Sequence, residues 1–104
     1  MSVVIRVIEV VGTPFCVATE DGTKLYQAIF EYLSRRSPVE VSFRGVTRLT
    51  TAFLNAAIGQ AYGEFTEDDI RHFLQVSGLD ERGLSLLTKV VDRAKIFFGH
   101  QRRA

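Results

Sequence analysis

The chain has 104 residues, 46% of them hydrophobic, and its 13 basic and 12 acidic residues nearly cancel. That is enough for one domain with a real core over 1–104; it excludes a disordered chain and gives no sign of a dominant electrostatic attraction to nucleic acid or an anionic membrane. A single cysteine, Cys16, excludes an internal disulfide and suits a reducing compartment, and no apolar run approaches the roughly 20 residues that span a bilayer. The start, MSVVIRVIEVV, lacks the basic opening and small-residue cleavage site of a signal peptide. A cytoplasmic protein with no membrane association is expected.

Val3–Val11 is rich in β-branched residues and predicts a strand. Gly12-Thr13-Pro14 is a turn signal, and Phe15–Ala18 predicts a short second strand, paired with the first as a hairpin. Asp21-Gly22-Thr23 starts a helix in which Leu25, Ile29 and Leu33 recur every four residues, widened by Ala28 and Tyr32. Arg35 and Arg36 suit the negative end of its dipole, and Pro38 marks the stop.

In Val39–Phe43 strict alternation returns: Val39, Val41 and Phe43 face one way, Glu40 and Ser42 the other. This is the period of a half-buried strand, so helices should cover mainly one face of the sheet. Gly45 breaks the run. After a five-residue link, Thr50 or Thr51 can cap a helix whose apolar pairs fall at 53/54, 57/58 and 61/62. Gly59 inside that helix suggests close packing, and Gly63 its end. Thr66-Glu67-Asp68-Asp69 reads as a cap and one helical turn at most, followed by a short strand over His72–Val76. Asp80 can cap a last helix with apolar positions 84, 87, 90/91, 94 and 97/98, and residues 99–104 read as a frayed tail.

The predicted architecture is α/β, in the order β-β-α-β-α-β-α, with a mixed sheet of four to five strands. The segment Val41-Ser42-Phe43-Arg44-Gly45-Val46, followed by Thr50-Thr51-Ala52-Phe53-Leu54, resembles the central motif of the STAS domain, the fold of bacterial anti-sigma factor antagonists. With Phe53 in place of the motif glycine, it is more similar still to the bacterial STAS-like domains of unknown function. The resemblance runs from about Glu20 to Phe98. In antagonists the first serine of the motif is phosphorylated by a partner kinase that also serves as the anti-sigma factor, and that serine falls on Thr51. The motif aspartate falls on Thr50, and the acid at the strand end on Ser42.

The resemblance therefore implies a regulatory protein-interaction module, with Thr51 as candidate phospho-acceptor and a histidine-kinase-like ATPase, or another signalling protein, as partner. Arg44, Arg48, Thr50, Thr51, Phe53 and Asn55 form the expected partner- or anion-binding surface. A helix N-terminus favours a phosphate or bound anion, so a nucleotide or anion sensor binding near Thr51 is the alternative; capping alone is the commoner role for a threonine there. No nucleophile elbow, phosphate-binding glycine loop or metal-ligand spacing of His72, His100 and Cys16 stands out, so no enzyme activity, cofactor or metal is expected. The final helix, with Phe97 and Phe98, could leave an apolar edge for a homodimer.

Overall fold

Four residues of alternating pattern make the central strand. β3 (Val39–Ser42) buries Val39 and Val41 almost completely and leaves Glu40 and Ser42 half-buried. It lies between β1 (Val3–Arg6) and β5 (Leu74–Ser77), parallel to both, with Ile5 opposite Val41 and Val41 opposite Val76. The computed structural model describes residues 3–102, with side chains through residue 99. On one face of this three-stranded sheet Ile5, Val39 and Val41 enter the core. The other face carries Val4, Arg6, Glu40, Ser42, Gln75 and Ser77, where Ser77 Oγ donates to Glu40 Oε2 at 2.7 Å. Helices on mainly one face agree with the alternation in Val39–Phe43.

The N-terminal hairpin does not form. The strand predicted over Val3–Val11 stops at Arg6, and α1 (Val7–Val11) follows as a helical turn closed by Gly12, which has φ 83° and donates to Ile8 O at 2.7 Å. The turn buries Val7 and packs Val10 and Val11 on the core, where a continued strand would have pointed alternate valines at solvent. β2 (Phe15–Cys16) then pairs in parallel with β4 (Arg48–Leu49), a strand absent from the predicted order. The strands thus form a sheet of three and a separate pair, with parallel pairing in both, in place of one mixed sheet of four to five.

α2 (Thr19–Ser34) begins two residues earlier than the sequence predicts and buries Gly22, Leu25, Ile29 and Leu33. Its end is closed by paired hydrogen bonds, Arg36 N to Leu33 O and Ser37 N to Tyr32 O, a geometry that needs a left-handed residue and usually a glycine. Here that residue is Arg36, at φ 54°. Its guanidinium reaches Asp69 at 3.1 Å and stacks 5.3 Å from the Phe73 ring centroid.

The motif helix runs as α3 (Thr51–Leu54), a π-helical turn over Asn55–Gly59 and α4 (Ala61–Glu64). Ala56, Ala57, Ile58 and Gly59 are buried in succession because this turn lies between α2 and α6 (Glu81–Arg102). The small residues allow that double approach. A Cβ on Gly59 would meet Asn55 Oδ1 at 2.7 Å and Val90 Cγ1 at 3.4 Å, so the glycine does mark close packing. Gly63, read as a stop, lies inside α4 against the ring of Phe98.

α5 (Glu67–Phe73) is seven residues long, two turns where one at most is predicted, and it includes His72. Thr66 caps it, accepting from Asp69 N at 3.1 Å. Asp80 caps α6, accepting from Gly83 N at 2.8 Å. That helix continues through Gly99 to Arg102, so the helical run extends past the predicted stop; 103–104 lie outside the described residues. Val90 and Ala94 are buried, but Leu84 and Phe97, at the two ends of the predicted stripe, are 50% and 56% exposed.

Candidate functional site

The segment that joins β3 to α3 is built on one tight turn. Val46 N donates to Phe43 O at 3.0 Å, and Gly45 takes φ 86° at the position where the chain must enter the left-handed region. Phe43 is buried, which anchors the turn, and Arg44 is exposed at its tip. The chain then pairs with β2, and Thr50 N donates to Cys16 O at 3.2 Å.

Thr50 is the cap. Its Oγ1 accepts from Phe53 N at 3.1 Å and donates to Val17 O at 2.9 Å. One hydroxyl thus closes the helix start and ties it to the strand pair. Thr51 occupies the first helical position, exposed, with no side-chain hydrogen bond among the described residues. Of the two threonines left open as caps by the sequence, one is structural and the other is free.

The surface expected around them divides into two. Arg48 and Thr50 line a cavity of about 530 Å³ together with Thr47, Asp80, Arg82 and Leu86. Thr51 and Asn55 line a different groove of about 490 Å³, between the motif helix and α6, with Arg93, Phe97 and Phe98. Arg44 lines neither. Phe53 is a correction: its side chain is completely buried, so it is a core residue and offers no contact to a partner. The aromatic ring replaces the motif glycine to fill the space beneath the helix start. The residues missed by sequence reasoning are Arg82 and Arg93, whereas Phe97, expected as part of an apolar edge on the final helix, lines the second groove. They come from α6, and periodicity alone does not tell which side of a helix meets a loop distant in sequence.

Cys16 is fully buried on β2, and burial, with Asp21 adding to it, pushes the thiol up to about 11. The thiol stays protonated near neutrality, and Cys16 serves as a small buried hydrophobe. Tyr26 is pushed up to about 12 by burial and by Glu64, and its hydroxyl is buried without a hydrogen-bond partner among the described residues. Among the described residues no helix is long and apolar enough to cross a membrane.

A parallel α/β layer, a glycine turn after the central strand and a hydroxyl-capped helix behind it define a STAS-like fold. The model of the STAS-like domain of unknown function (DUF4325) matches residues 21–84, and the chain belongs to that family. The match runs from the first turn of α2 into the start of α6 and contains β3, the turn after it and the whole motif helix. Comparison with curated proteins and with solved structures found no match.

Proposed function

We propose that the chain is a non-enzymatic regulatory interaction module whose partner docks on the groove between the motif helix and α6, under control of Thr51. The observation that carries this reading is the division of labour between neighbouring threonines. Thr50 is consumed by the cap and the tie to Val17, whereas Thr51 presents a free hydroxyl to a groove that also exposes Phe97. An exposed aromatic beside a polar rim is the usual composition of a docking surface.

Phosphoryl transfer from ATP to Thr51 Oγ1 would form the new O–P bond as the bond to ADP breaks. It would add about −1.5 to −2 charges at the start of a helix, where the unpaired N–H groups favour an anion. Arg93 lines the same groove and supplies a cation. The groove would change from apolar and cationic to anionic, which alters what can dock there. By family resemblance the partner class is a histidine-kinase-like ATPase or another signalling protein. Mass spectrometry on protein from its native cells, grown under several conditions, tests the phosphorylation directly. Phosphothreonine at 51 in some condition is expected, and its consistent absence would remove the switch.

A further inference from the structure

The larger cavity brings together two arginines that have no ion pair among the described residues, whereas the groove beside Thr51 has one, Arg93. Lys24, Arg35, Arg36, Arg71 and Lys95 each have an acidic partner. Arg48 and Arg82 have none among the described residues, yet both line the same space of about 530 Å³. One acid, Asp80, shares that lining, and its carboxylate is engaged by the Gly83 N–H of α6 at 2.8 Å. Two guanidinium groups against one carboxylate leave the lining with a net positive charge, and neither arginine is held by an ion pair among the described residues, so both are available to a bound anion.

Its position in the fold points the same way. The cavity lies beyond the carboxyl ends of β3 and β5, where Phe43 and Gly78 follow the last strand residues. Gly78, in the lining at φ 80°, packs so near Arg44 that a Cβ would fall 2.6 Å from its main-chain nitrogen. The crevice outside the carboxyl ends of the strands is where open α/β sheets take ligands, and the volume falls in the range of metabolite pockets. Val17, Val46, Leu79 and Leu86 give it apolar walls. The hydroxyls of Thr47 and Thr50 donate to Pro14 O and Val17 O, so the arginines are the side-chain donors left for a ligand.

We propose that this cavity binds a small organic molecule carrying a phosphate group, held by Arg48 and Arg82 with its organic body against the apolar walls. It is a separate site from the Thr51 groove, and the two readings stand or fall independently.

The test is calorimetric or NMR titration of the whole chain at low ionic strength with AMP and ribose 5-phosphate, and with adenosine as the unphosphorylated control. Arg48→Ala, Arg82→Ala, their double variant and Arg93→Ala, in the other groove, are compared after thermal melts confirm folding. Saturable binding of at least one phosphorylated probe is expected, with adenosine at least about tenfold weaker than AMP. Each single variant at the cavity should weaken binding about tenfold, and Arg93→Ala should leave it unchanged. The proposal is overturned if neither phosphorylated probe saturates by about 10 mM, if adenosine binds as well as AMP, or if the double variant keeps wild-type affinity.

Discussion

Gly22 packs against the main chain of Phe53 so closely that a Cβ on Gly22 would lie 2.5 Å from the Phe53 carbonyl oxygen and 2.9 Å from Ala56 Cβ. The contact sets the spacing between α2 and the motif helix. Alanine is the better helix former by about 1 kcal/mol, so on propensity alone Gly22→Ala should stabilise. The nearest atom is backbone, however, and cannot rotate away; overpacking of this kind costs about 1–3 kcal/mol. A net loss of about 1–2 kcal/mol is expected from urea unfolding of the variant. An increase in stability would show that the two helices are not in this contact.

Arg36 poses the reverse problem. A non-glycine residue in the left-handed region costs about 1–2 kcal/mol, while its exposed ion pair to Asp69 and its stacking on Phe73 each return about 1 kcal/mol or less. Arg36→Gly should therefore be close to neutral. Arg36→Ala keeps the strain and loses the contacts, and it should be the less stable of the two by about 1 kcal/mol. Chemical denaturation of both variants side by side checks the order.

The hydroxyl of Tyr26 is buried without a hydrogen-bond partner among the described residues, and burial holds its proton on up to about 12. Removing an unpaired polar atom while keeping the ring costs nothing in hydrogen bonding. Tyr26→Phe should be neutral or stabilising by up to about 1 kcal/mol. A loss larger than that in thermal or urea unfolding would show that the hydroxyl has a partner.

Cys16 makes the fold sensitive to alkali. Its thiol rises from an ordinary 9.0 to about 11 in the folded chain, so between those values the native state holds a proton that the unfolded state has released. Stability is then fully present below about pH 9 and falls as pH rises toward 11. Urea midpoints measured at pH 7 and at pH 10 should separate more for the wild type than for Cys16→Ala, and native Cys16 should resist alkylation near neutrality.

The parts of the fold that were legible in the sequence are those where one periodicity decides the outcome. Val39–Phe43 alternates and forms the central strand; Leu25, Ile29 and Leu33 recur and form the buried face of α2. Gly59 announced close packing and has it. The failures lie where tertiary contacts override local preference. Val7–Val11 has strand composition but turns as a helix, because that places Val7, Val10 and Val11 on the core. The pairing of Phe15–Cys16 with Arg48–Leu49 joins segments more than thirty residues apart, through no more than two residues each, too short for a pattern to register. At the candidate site the threonine pair was legible as a helix start, but the choice between Thr50 and Thr51 was decided by Val17 O, which only the folded chain brings near. The same holds for Arg82 and Arg93, which reach their cavities from α6.

The two threonines separate structure from function. Thr50→Ala removes a cap and a tie to the strand pair, and it should lower stability by about 1–2 kcal/mol. Thr51→Ala and Thr51→Asp remove no hydrogen bond and should stay within about 0.5 kcal/mol of wild type in the same unfolding measurement.

Affinity purification of the wild-type and Thr51→Asp chains from the native cells, with the phosphorylation state of Thr51 read in the same samples, tests the interaction module most directly. A histidine-kinase-like ATPase or another signalling protein recovered with the wild type and lost with Thr51→Asp is the predicted result. The same proteins recovered in the same amounts with both chains would contradict a docking surface controlled by Thr51.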